Sequence, residues 1–73
     1  MRYTVVLEKD PGGLIVAHVP SLRGCVSQGR NKREALRNVK EAIALYVETL
    51  IENGRPVPTE TGREIVELSI VGT

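Results

Sequence analysis

Apolar and polar positions alternate from the first residues onward. Tyr3, Val5 and Leu7 fall on one side of an extended segment and Thr4, Val6 and Glu8 on the other, so residues 2–8 predict a strand whose two faces are both fairly apolar. Lys9, Asp10, Pro11, Gly12 and Gly13 then gather residue types that preset φ or tolerate positive φ, and residues 14–19 form a second apolar, β-branched run. That arrangement predicts a hairpin. Pro20 has no N–H for a ladder and ends the second strand. Residues 21–24 form a loop, and Cys25, Val26, Ser27 and Gln28 form a short third strand that completes a three-stranded meander.

After Gly29 the period changes. Asn31 is suited to cap a helix N-terminus, and Glu34 stands three positions later as in a capping box. Leu36, Val39, Ile43, Val47 and Leu50 recur at helical spacing, Ala42, Tyr46 and Ile51 widen the stripe, and Arg33, Arg37, Lys40, Glu41, Glu48 and Glu52 fall mainly outside it. Asn53 and Gly54 offer a terminator and Pro56 and Pro58 prevent resumption, which predicts a helix of about 22 residues. A polar connection through residues 59–62 leads to residues 64–71, where Val66, Leu68 and Ile70 alternate with Glu67 and Ser69, as in a last strand. The expected fold is α+β in the order β-β-β-α-β: an antiparallel three-stranded meander plus a C-terminal strand, with one long amphipathic helix on one sheet face. The other face is left uncovered in the monomer, and no repeat or low-complexity linker interrupts the chain.

Size sharpens the picture. A chain of 73 residues is expected to form one domain over residues 1–73, and domains this small commonly need a disulfide, a metal or a partner subunit. A single cysteine and a single histidine rule out an internal disulfide and a Cys/His zinc site, which leaves self-association. More apolar sheet residues are expected on the open face than a monomer normally exposes, so a homodimer or higher homo-oligomer is predicted, formed through sheet residues or strand edges. A hydrophobic share of 41% with 26% charged residues is a globular balance, and a formal net charge of +1 supplies no long-range field for nucleic acid. Charges interrupt the first ten residues and no apolar run reaches the roughly 20 residues of a membrane span, so a cytoplasmic protein without membrane association is expected.

Three stretches together resemble the HicB antitoxin family: the run Tyr3 to Asp10, the Pro20-x-Leu22-x-Gly24-Cys25-x-Ser27-x-Gly29 pattern, and Glu34-Ala35-Leu36 on the new helix. The resemblance spans nearly the whole chain. It implies a partial copy of the ribonuclease H fold and a non-enzymatic antitoxin that binds and blocks a small HicA-like ribonuclease toxin by steric occlusion. Many members resembling this one continue into an operator-binding domain, whereas this sequence ends at Thr73, so no C-terminal DNA-binding domain and no direct DNA binding are expected. Arg23 and Arg30 stand where related sequences often place a proline and an acidic residue, which points to a different choice of partner.

Metal-dependent nuclease work needs clustered carboxylates, but Glu8 sits near the end of the first strand and Glu34, Glu41, Glu48 and Glu52 recur along the solvated side of the helix. His18 and Cys25 could lie close in a meander, yet no third group is placed to orient them, and a structural role for both is favoured. The glycines at 12, 13, 24 and 29 are read as turn residues, since none shows phosphate-loop spacing. No catalytic residue, metal or cofactor is expected. The partner-binding candidates are Pro20, Leu22, Arg23 and Gly24 in the loop, with Leu22 and Arg23 as anchors, and Arg30 and Arg33 at the helix start. Lys32 and Arg37 add to that basic cluster, which is either a partner site or a solvated face. Two other readings remain open: a small nucleic-acid-binding module, limited by having only Tyr3 and Tyr46 as aromatics, and an orphan oligomeric scaffold.

Overall fold

The computed structural model describes residues 2–60. Three strands, β1 (Val6–Lys9), β2 (Ile15–His18) and β3 (Val26–Gly29), precede the helix α1 (Lys32–Glu52). The sheet order is β1-β2-β3, both pairs antiparallel, with Leu7 opposite Ala17 and Ala17 opposite Ser27. Helix α1 packs on β3 and β2. This is the expected α+β meander and helix; the final strand predicted over residues 64–71 lies outside the described residues.

β1 and β2 are shorter than their apolar runs, β3 is shifted by one residue from the expected 25–28, and β1 shows why a run is cut short. Ahead of Val6 the chain bonds elsewhere: the Tyr3 hydroxyl donates to the Pro58 carbonyl at 2.6 Å and the Thr4 N–H to Glu60 Oε2 at 2.9 Å. Between β1 and β2, Asp10 organises the turn, its side chain accepting from Leu14 N–H at 2.9 Å and its carbonyl from Gly13 N–H at 2.9 Å.

Alternation then sorts the sheet residues. Leu7, Ala17, Val19 and Cys25 turn toward α1 and join Leu22, Ala35 and Val39 in the core, with Ile15, Ile43 and Tyr46 packed around them. Ala35 and Val39 are the buried residues of α1, while Leu36 and Ile51, expected within the apolar stripe, lie exposed. The stripe is wider than the narrow sheet beneath it. Gly29 is not simply a turn residue: it closes β3, is buried, and a Cβ there would lie 2.9 Å from Ala35 Cα. Only glycine lets the helix start rest directly on the strand end.

Both helix ends are closed by local bonds. Asn31 Oδ1 accepts from Glu34 N–H at 2.8 Å, as a capping box requires. The return bond differs from expectation by one residue, because Glu34 Oε1 accepts from Arg30 N–H at 2.8 Å. At the other end, Gly54 N–H donates to Ile51 and Arg55 N–H to Leu50, the paired bonds of a Schellman motif.

Candidate partner-binding surface

The loop that follows β2 is built inward before it is presented outward. Leu22 is only 1% exposed and plugs the core. Its N–H donates to the Val19 carbonyl and its carbonyl accepts from Cys25 N–H, both at 3.0 Å. Pro20, Arg23 and Gly24 are left exposed, and Gly24 takes φ 78°, a left-handed backbone that favours glycine. Of the two anchors expected in this loop, Arg23 therefore faces solvent. Leu22 supports the loop from beneath, so its substitution tests stability as well as binding.

A second support comes from the far end of the described residues. Glu60 is 8% exposed, and its carboxylate accepts from Thr4 N–H (2.9 Å), the Thr4 hydroxyl (2.8 Å) and the Ser21 hydroxyl (2.9 Å). It ties three distant segments together directly beneath the candidate loop. Nothing in the local sequence marks it, since Glu60 stands in a polar stretch between threonines, where a solvated carboxylate is the ordinary expectation.

The helix start is held differently. Arg30 and Arg33 are exposed, and Arg30 Nη2 pairs with Glu34 Oε2 at 3.0 Å, with Arg37 further off at 4.0 Å. Side-chain and backbone hydrogen bonds from Arg30 hold the Glu34 carboxyl below its usual pKa. Part of the basic cluster is thus neutralised within the helix. The loop and the helix start lie at opposite ends of β3: six residues separate Gly24 from Arg30, roughly 20 Å at strand spacing. One copy of the chain does not unite the two candidate patches.

Other chemistry finds little support in the geometry. Alternation along the sheet puts Cys25 on the face under α1 and His18 on the opposite face, and burial raises the thiol pKa, as befits a packing residue. Among the described residues, no three His, Cys, Asp or Glu side chains gather where they could hold a metal ion, and no helix is long and apolar enough to cross a membrane. A groove of about 750 Å³ runs between the Gly24 and Val26 side of β3 and the outer half of α1 at Leu45, Tyr46 and Thr49, with Arg55 at its end.

With the sheet, helix and loop in place, comparison with known proteins settles the lineage. Residues 3–69 match the family described as HicB_like antitoxin of bacterial toxin-antitoxin system. The chain belongs to the HicB-like antitoxin family. A UPF0150 protein of Thermoplasma acidophilum is 46% identical over 65 residues, spanning 89% of this chain and 94% of its own. A second UPF0150 protein, from Synechocystis, is 52% identical over 59 residues, 81% of this chain and 75% of its own. Among solved structures, the N-terminal domain of the Burkholderia pseudomallei antitoxin HicB superposes with a TM-score of 0.72 at 37% identity, covering 81% of this chain and 69% of that one. Within this member of the HicB-like antitoxin family, the pattern from Pro20 to Gly29 now has a physical reading. Leu22 and Cys25 fill the core, Gly24 turns the loop and Gly29 seats the helix.

Proposed function

We propose that this chain binds a small HicA-like ribonuclease toxin in the cytoplasm and blocks its active surface by occlusion, performing no chemistry of its own. Family membership supports a toxin partner in general. The observation that carries the occlusion reading is the 20–24 loop, fixed from below by Leu22 and the Ser21–Glu60 bond while Pro20, Arg23 and Gly24 stay exposed. A loop already ordered before contact loses less conformational entropy on binding than a flexible one, which favours tight inhibition from a small area. Arg23, exposed at the loop crest, is the anchor in this reading, with Arg30 and Arg33 as a second contact region.

The test is RNA cleavage by a purified HicA-like toxin titrated with this protein. Cleavage is expected to stop near one equivalent, and Arg23→Glu is expected to raise the inhibition constant by about 10-fold or more without lowering the melting temperature. Undiminished cleavage under saturating protein would overturn the reading. Equal inhibition by the Arg23→Glu protein would remove the loop from it.

A further inference from the structure

The charges of α1 run against its own dipole. A helix is stabilised by acids near its N-terminus and bases near its C-terminus. Here Lys32 and Arg33 open the helix, Arg37 and Lys40 follow, and no basic residue stands in the last turn, where Glu52 sits instead. Glu41, Glu48 and Glu52 are all exposed, and their spacing at about 100° per residue puts them on one stripe roughly 16 Å long. Leu45, 64% exposed, falls on the same stripe. Among the described residues the ion pairs of α1 both go to Glu34, so none neutralises these three carboxylates. Local rules are broken in this way where a surface serves something other than the fold.

Beside the stripe lies the groove of about 750 Å³, with Leu45 and Thr49 on one wall. The other wall belongs to β3, the terminal strand among the described residues. In an antiparallel ladder alternate residues turn their backbone groups toward the neighbouring strand and the others turn away. Val19 N–H donates to the Cys25 carbonyl at 3.0 Å and Ala17 pairs with Ser27, so Val26 and Gln28 direct their N–H and C=O outward. The Gln28 carbonyl is taken by Asn38 Nδ2 at 2.8 Å. Val26 keeps both outward groups on the groove side.

We propose that this groove and its acidic rim dock a basic, extended segment of the ribonuclease toxin, drawn from the surface where that toxin holds RNA. A protein that grips RNA for cleavage must offer Lys and Arg to the phosphates. Glu41, Glu48 and Glu52 present carboxylates to the same cations, Leu45 and the groove take an apolar side chain, and Val26 supplies a donor and an acceptor for the segment's backbone. The negative stripe repels RNA itself. Arg55, the one cation among the lining residues, closes the far end. Gly24 lines the near end, so the 20–24 loop and the groove form one continuous surface. The proposal deepens the toxin-binding reading and rests on it: Arg23 does not attract a basic surface, whereas the carboxylates of α1 do.

Titration of toxin RNA cleavage separates the two. Replacing Glu41, Glu48 and Glu52 together by Gln is expected to raise the inhibition constant by about 10-fold, and replacing all three by Lys by about 100-fold or more. Neither variant should melt below the unsubstituted chain, because both relieve the conflict with the dipole. Raising salt from about 50 mM to about 500 mM should weaken inhibition by the unsubstituted chain several-fold more than inhibition by the Gln variant, a sign that a merely structural role would not give. Leu45→Ala should raise the constant by about 5-fold at unchanged melting temperature. The Gln variant and Leu45→Ala carry the test should the charge reversal prevent folding. Inhibition by the unsubstituted chain that both triple variants match would overturn the docking site and leave the toxin-binding reading standing. No inhibition by the unsubstituted chain would overturn both. Triple variants that change sedimentation of the protein alone, or its retention of RNA, without changing inhibition would give the groove to a second copy or to RNA and overturn the proposal.

Discussion

The two ends of β3 solve the same problem with different materials. At one end the 20–24 loop is held by a buried leucine and a carboxylate sequestered from water; at the other the helix start is held by a cap and an exposed ion pair. Burial makes the first end stiff, because every group removed leaves a cavity or an unsatisfied donor. Exposure makes the second end adjustable, because water and salt replace whatever is lost. The conformation of the loop is thus coupled to global stability, whereas the charge pattern of the helix start can change at little cost.

This contrast can be tested at three levels of effect. Leu22→Ala should cost about 3 kcal/mol and lower the melting temperature by roughly 15 °C, measured by thermal and urea unfolding; a loss under about 1 kcal/mol would show that the core does not hold the loop. Glu60→Ala should cost about 2 kcal/mol, since Thr4 N–H loses a buried acceptor, and the same unfolding measurements in a double-mutant cycle with Ser21→Ala should show coupling. The smallest effect concerns Glu34. Its folded-state pKa is depressed by Arg30, so its contribution is fully present above the ordinary carboxylate value of 4.5 and is lost as pH falls through the lowered one. Unfolding followed from pH 7 to pH 3 should therefore show an acid loss of stability that Glu34→Gln reduces. An unchanged acid profile in that variant would mean that the pair contributes nothing to the helix start.

How far the sequence revealed this depends on the range of each interaction. The meander, the helix and the Asn31 cap were legible because they rest on contacts within a few residues, where period and turn chemistry are written directly. Glu60 was not, because its partners Thr4 and Ser21 are 56 and 39 residues away and its neighbours resemble any polar connection. Leu22 reads as a partner anchor in the sequence because an apolar residue in a loop between polar ones looks exposed until the core beneath it is known. For Gly29 the glycine was visible and its reason was not, as the close approach of Ala35 appears only when strand and helix are packed. The separation of Arg23 from Arg30 likewise needed β3 to be laid out as an extended strand between them.

Asn38 bears on solubility. By occupying the Gln28 carbonyl, its amide leaves the outer side of β3, among the described residues, with a single residue, Val26, whose donor and acceptor are both available. Fibrillar growth demands identical segments of about six or seven residues stacked with every backbone group engaged. An edge reduced to one competent residue offers no such template, which protects a short, uncharged strand at the rim of the sheet from stacking.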